Sequence, residues 1–180
     1  MAVLRTKRLL LRPMVKGDLD DFYEYCSQPE VGPKAGWLPH QSKKESYKIM
    51  KKIFLNQESV WGIIFPEKNK LIGTIGLVPD ISRNFPNSRM IGYSLSKTYW
   101  GNGYMTESVL AVLYYGFSVM GLDLISANCY PDNPASKRVL EKSGFYYEGY
   151  LRMAEQVSPT DIKDHLCFSI LKEEYINKKE

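Results

Sequence analysis

The sequence predicts an α/β (α+β) fold, a mixed sheet of about seven strands flanked by helices within a single domain over residues 1–180, and three observations predict it. Three strand-like runs separated by turn formers, Val60–Phe65, Lys70–Val78 and Ser88–Leu95, give an antiparallel meander. Helical and strand patterns then alternate over residues 104–151, which calls for parallel pairing in the middle of the sheet. Between these parts lies a glycine-bearing joint, Tyr99-Trp100-Gly101-Asn102-Gly103-Tyr104-Met105-Thr106-Glu107-Ser108, where a strand gives way to a helix. At 180 residues the chain has room for one full core and little for two.

Taken in order, the short apolar run 7–13 ends in Pro13 and reads as the first strand. Asp18 is placed to cap a helix carrying Leu19, Phe22, Tyr23 and Cys26 at helical spacing until Pro29. Residues 31–41, broken by Gly32, Pro33, Gly36 and Pro39 around Trp37, read as a loop, either a plain connection or a lid. Ser42 and Glu45 form a capping box for a second helix through Phe54. After the three strands come a helix over 104–120, a strand over 123–130, a helix over 134–143, a strand over 145–151 and a last strand over 163–171. Tyr114, Tyr115 and Phe117, on the helix with Leu110 and Leu113, are expected to pack in the core.

Composition excludes several functions. The net charge of +4 is spread thinly, without the basic stripe of a nucleic-acid binder. Cys26, Cys129 and Cys167 are odd in number and far apart, so neither a disulfide framework nor a thiolate metal site is expected. His40 and His165 stand alone, and no metal is expected. With no charged-then-apolar leader and no membrane-length apolar run, the expectation is a cytoplasmic chain away from the membrane.

A helix start is an anion site, because its first N–H groups lack intrahelical partners and the macrodipole is positive there; glycines let the backbone close on a bulky ligand. Phosphate is the natural guest of the 99–108 joint, although Gly101 and Gly103 also suit a plain tight turn. A second such segment is 133–145: Asn133 can cap the helix that Pro134 begins, and Gly144 can end it in the left-handed conformation.

The order of elements and these two loops, with Arg8-Leu9-Leu10-Leu11-Arg12, Ile91-Gly92-Tyr93 and Glu148-Gly149 through Asp164, resemble the GCN5-related N-acetyltransferase (GNAT) family, particularly its RimJ/RimL-like branch of ribosomal-protein N-terminal acetyltransferases. The resemblance runs from Arg5 to about Ile170 and implies a strongly twisted sheet and acetyl-coenzyme A as co-substrate. By resemblance, main-chain amides of Trp100, Gly101, Asn102, Gly103, Tyr104, Met105 and Thr106 hold the cofactor pyrophosphate. Trp100 stands where Arg or Gln is commonest in the family, and Met105 replaces a small residue. Amides near Tyr93, Ser94 and Leu95 would face the thioester carbonyl. Asn133 would grip the pantetheine arm, and Ser136 would lie near the sulfur, as hydrogen-bond partner of the thiolate or simply as part of a helix start. A tyrosine acid common in the family is replaced by Leu140. Glu155 matches the position of the general base in this branch, its bland alternative being an exposed glutamate past a strand end.

The implied reaction is direct acetyl transfer to a primary amine in a ternary complex. An α-amine with pKa near 8 is ~10% neutral at pH 7, far more than a lysine amine near 10.4, so it needs less help from a base. A protein N-terminus is therefore the first acceptor expectation; a small amine such as an antibiotic or polyamine, or a non-catalytic acetyl-coenzyme A sensor, is the alternative. The chain is expected to be a monomer or homodimer.

Overall fold

A computed structural model describes residues 2–55 and 57–177. The chain gathers into two compact units, Met1–Gly76 with Tyr93–Ala111, and Leu77–Gly92 with Val112–Glu180.

In the first unit the strand order is β1 (Leu4–Arg5), β2 (Leu10–Arg12), β3 (Val60–Phe65), β4 (Lys70–Val78) and the end of β5 (Ser88–Leu95). The pairs β1/β2, β2/β3 and β3/β4 are antiparallel, with Leu4 opposite Leu11, Leu11 opposite Ile63 and Gly62 opposite Thr74. The first strand predicted over 7–13 is the shorter β2, and β1 precedes it unpredicted; between them Thr6 Oγ1 accepts from Leu9 N and folds residues 6–9 into a turn. Helices α1 (Leu19–Cys26) and α2 (Lys43–Ile53) cover a core of Phe22, Tyr25, Met50, Ile64 and Leu71.

Two caps differ from expectation. Asp18 makes no cap bond to α1; its carboxylate accepts from Val15 N and from both terminal nitrogens of Arg12, and so closes the preceding 3-10 turn, Lys16–Asp18. Ser42 accepts from Glu45 N as predicted, but Glu45 reaches back to Gln41 N, one residue beyond the box.

Gly73 decides where β5 ends up. A Cβ there would lie 2.3 Å from the Ser94 carbonyl oxygen and 3.1 Å from Leu95 Cα, so β4 and β5 approach only because position 73 has no side chain.

In the second unit the order is β5, β6 (Leu124–Cys129), β8 (Asp161–Leu171), β7 (Tyr146–Ser158). The expected parallel pair is β5/β6, with Ser88 opposite Leu124; its register ends at Met90 opposite Ser126, before either strand does. Strand β7, which follows β6 through α4 (Pro134–Lys142), lies beyond β8, antiparallel to it. Among the described residues there are thus eight strands, one more than the seven read from the sequence.

Helix α3 (Tyr104–Tyr114) starts where predicted but changes to a π-helical turn, Tyr115–Val119. A Cβ at Gly116 would meet Ile125 Cδ1 at 2.7 Å, so the turn brings its backbone hard against β6. Phe117 is buried and packs on Tyr175 of α5 (Lys172–Asn177), with ring centroids 5.0 Å apart. The core reading fails for Tyr114 and Leu110, which are 52% and 45% exposed. Helix α5 was not predicted: among its six residues Tyr175 is the buried one, too little for a periodic signal. Strand β7 outruns the predicted 145–151 by seven residues, since its register against β8 shifts three times and breaks the alternation that marks a strand.

Candidate active site

The joint between β5 and α3 is built from peptide groups. Lys97–Tyr99 forms a 3-10 turn tied to α1's end by Lys97 N donating to Gln28 Oε1 at 3.0 Å. Gly101 and Gly103 both adopt φ of +76°, a left-handed conformation that costs a residue with a Cβ ~1–2 kcal/mol. Residues 101–103 are exposed, and among the described residues no acceptor is found for the amides of 101–106. Donors without acceptors at a helix start are the groups that could hold an anion.

The side chains of this loop point elsewhere than at an anion. Trp100 Nε1 donates to the Leu95 carbonyl at 2.7 Å, pinning the loop to β5's end. Met105 is buried at 6% exposure, and its side chain serves the core. The Asn102 side-chain amide donates to the Trp100 carbonyl at 2.9 Å and the Tyr99 carbonyl at 3.3 Å. The Ser94 hydroxyl is turned inward, 3.0 Å from Thr74 Oγ1, which accepts from the Tyr25 hydroxyl. Leu95 is buried and Tyr93 half-buried, so for residues 93–95 the main chain is the part that could serve the site.

In the second unit, α4 starts as the sequence predicts. Asn133 Oδ1 accepts from Ser136 N at 3.1 Å, Pro134 occupies the first turn, and Gly144 ends the helix at φ +91°. Phe145 N to Leu140 O and Gly144 N to Glu141 O complete a Schellman closure. Asn133 and Ser136 are both half-buried, whereas Leu140 is fully buried in the core.

Glu155 is not a free glutamate past a strand end. It lies within β7 opposite Lys163, and His165, two residues further along β8, is its diagonal neighbour. His165 Nε2 lies 3.2 Å from Glu155 Oε2, and the Tyr130 hydroxyl donates to the same oxygen at 2.6 Å. The Tyr130 and His165 rings face one another at 5.6 Å. Both partners engage Oε2, leaving Oε1 without a partner among the described residues. The hydrogen bond from His165, joined by that of Tyr130 and opposed by burial, holds the Glu155 carboxyl below the usual range. Burial, then the bond to Glu155, pushes the Tyr130 phenol well above its ordinary value.

A bulge makes this arrangement possible. Between Leu151 and Glu155 the register shifts, with Met153 at φ +51°; Asp164 Oδ1 accepts from Met153 N at 2.7 Å and steadies this non-glycine left-handed residue. Tyr130 and His165 were not found by sequence reading. Lone aromatic and histidine residues 35 positions apart carry no local pattern, and only the long pairing of β7 with β8 joins them.

Cys129 is buried, and burial pushes its thiol up to about 11, which keeps it protonated at neutral pH and unsuited as a nucleophile. Among the described residues no cluster of His, Cys, Asp or Glu could hold a metal ion, and no helix is long and apolar enough to cross a membrane.

The acetyltransferase (GNAT) domain profile matches residues 8–146. An uncharacterized N-acetyltransferase, p20, of Bacillus licheniformis is 33% identical over 97% of this chain and 99% of its own. The [ribosomal protein uS5]-alanine N-acetyltransferase of Escherichia coli is 28% identical over 51% of this chain and 47% of its own. A GNAT-family acetyltransferase structure from Bacillus anthracis superposes with a TM-score of 0.83 at 27% identity, covering 96% of this chain and 99% of that one. Spermidine N-acetyltransferase from Vibrio cholerae, solved with CoA and spermine, shares the fold with a TM-score of 0.77 at 22% identity, covering 94% and 99%.

Proposed function

Because this chain belongs to the GNAT acetyltransferase family, and is accordingly an acetyl-CoA-dependent N-acyltransferase, we propose that it acetylates the N-terminal α-amine of a protein, in the manner of the RimJ/RimL-like branch. The observation that carries the cofactor half is the run of amides at 101–106 for which no acceptor is found among the described residues, residues 101–103 being exposed. They hold the pyrophosphate of acetyl-CoA, while main-chain groups of Tyr93, Ser94 and Leu95 attend the thioester carbonyl. Each donor aimed at a developing oxyanion contributes a few kcal/mol. Asn133 and Ser136 take the pantetheine arm and the sulfur.

The chemistry is direct attack. The neutral amine forms its C–N bond to the thioester carbonyl, a tetrahedral intermediate collapses with C–S cleavage, and the thiolate leaves hydrogen-bonded by Ser136 until protonated. The proton lost by the amine passes, through water, to Glu155 Oε1, the oxygen not engaged by Tyr130 and His165. A high Cys129 pKa supports direct attack over an acetyl-cysteine route.

The acceptor class follows from the strength of this base. A carboxylate held below its usual range is a poor acceptor for the proton of a strongly basic amine. It suits an α-amine, near pKa 8 and ~10% neutral at pH 7, better than a lysine or polyamine amine near 10.4. The resemblance to a uS5-alanine acetyltransferase over half the chain supports the same choice, whereas the shared fold with spermidine N-acetyltransferase supports a polyamine as the second reading.

Release of free CoA thiol is the test, measured with peptides beginning in Ala or Ser, the same peptides N-terminally blocked but bearing lysine, and spermine. Free α-amine peptides should give the highest kcat/KM. Preference for spermine would replace the acceptor, and binding of acetyl-CoA with no thiol release above hydrolysis would make the chain a sensor.

A further inference from the structure

We propose that Arg8, on the turn between β1 and β2, is a positioning residue for cofactor binding that sets the direction of the amides in the 101–106 loop. This rests on the reading of that loop as the pyrophosphate site.

Arg8 grips the loop by every group it has. Its Nη1 donates to the Asn102 carbonyl at 3.0 Å, its Nε to Glu107 Oε2 at 2.7 Å, and its Nη2 lies 2.7 Å from the same carboxylate. Its guanidinium lies over the Tyr104 ring at 4.5 Å, and that ring contacts Phe65 at 5.6 Å on β3. Glu107 accepts as well from Arg8 N at 2.8 Å and Thr6 Oγ1 at 2.5 Å. Burial raises the Glu107 carboxyl, but these donors outweigh it and hold it below its usual value.

The consequence is geometric. A peptide group is planar and trans, so its C=O and N–H point in opposite directions. Holding the Asn102 carbonyl toward Arg8 turns the Gly103 N–H the other way. The Trp100 carbonyl, held by the Asn102 side chain, does the same for Gly101 N–H, and the Gly103 carbonyl, held by Glu107 N at 3.0 Å, for Tyr104 N–H. Glycines at 101 and 103 rotate freely through such planes, and without these three holds the loop has no reason to keep its donors aligned. Of the three, the hold on Asn102 comes from outside the loop, from the N-terminal strands. Since Arg8 is already paired with Glu107, its part is to orient peptide planes rather than to supply net charge.

The test compares two ligands of the same site, coenzyme A and pantetheine, which lacks the phosphates. In Arg8→Ala the dissociation constant for coenzyme A should rise about tenfold, the scale of one lost charge-assisted hydrogen bond. That for pantetheine, followed by ligand-observed NMR, should not change, and the coenzyme A ratio of variant to wild type should hold between low and high salt. Arg8→Lys keeps the charge without the planar fork; it should show an intermediate loss and serves also if the alanine variant does not fold. Wild-type affinity in both variants, or equal loss for both ligands, overturns the inference while leaving the loop assignment intact. Absence of coenzyme A binding by the wild-type protein overturns the loop assignment itself, and this inference with it.

Discussion

The loop at 101–106 and the cluster around Glu155 are built by different means. The loop offers peptide donors, made possible by the missing side chains of Gly101 and Gly103, with Arg8 and the Asn102 side chain acting on its carbonyls. The cluster consists of three side chains from β7, β8 and the residue after β6, converging on one carboxylate oxygen. A main-chain site tolerates departures such as Trp100 and Met105, while a side-chain site is lost with one substitution. Changes that rotate the backbone should therefore weaken cofactor binding, and changes in the cluster should spare binding and slow the reaction.

The largest expected effect is at Gly101→Val. The space around the position is open, with nothing within 4 Å of an added Cβ, so the damage is conformational: a β-branched residue at φ +76°. Calorimetry should find coenzyme A affinity lower by about a hundredfold, equal to two tenfold steps of 1.4 kcal/mol. Near wild-type affinity would mean that the loop's amides do not hold the ligand.

Next comes Glu155→Gln, isosteric and unable to take a proton. Steady-state assays should show kcat lower by about 10²–10⁴, the usual scale of a general base, with the dissociation constant for coenzyme A unchanged. Loss of coenzyme A binding in this variant would erase the contrast between the two regions.

Tyr130→Phe is a smaller test, read through pH. The Glu155 carboxyl titrates below its ordinary value, so its contribution to stability is full above the unfolded pKa of about 4.3 and is lost as pH falls through the lower folded value. Removing the Tyr130 donor raises the folded pKa toward the unfolded one, so acid unfolding curves should lose less stability below pH ~4 than wild type does. Identical acid limbs would show that Tyr130 does not support the carboxylate.

The mildest change is Asn133→Ala. It removes the cap bond to Ser136 N and should cost ~1 kcal/mol, seen as a lower Tm, together with a higher KM for acetyl-CoA. An unaltered KM with a lowered Tm would confine Asn133 to capping.

What could be read in advance divides along the same line. The boundaries of β3, β4 and β5, the start of α3, the Asn133 cap and the left-handed Gly144 are local, set by turn formers and glycines within a few residues. Asp18 misled because its carboxylate has a nearer use, bonding Arg12 and Val15. The length of β7 and the neighbours of Glu155 depend on register shifts against β8, which no periodicity announces. The hold of Arg8 on Asn102 joins residues 94 positions apart and was equally out of reach.

Whether the backbone amides of 101–106 bind the cofactor phosphates is tested most directly by amide NMR of the protein titrated with coenzyme A. The largest shift changes should fall on residues 101–106 and should not be reproduced by pantetheine. No response at these residues, with saturable changes elsewhere, would contradict that assignment.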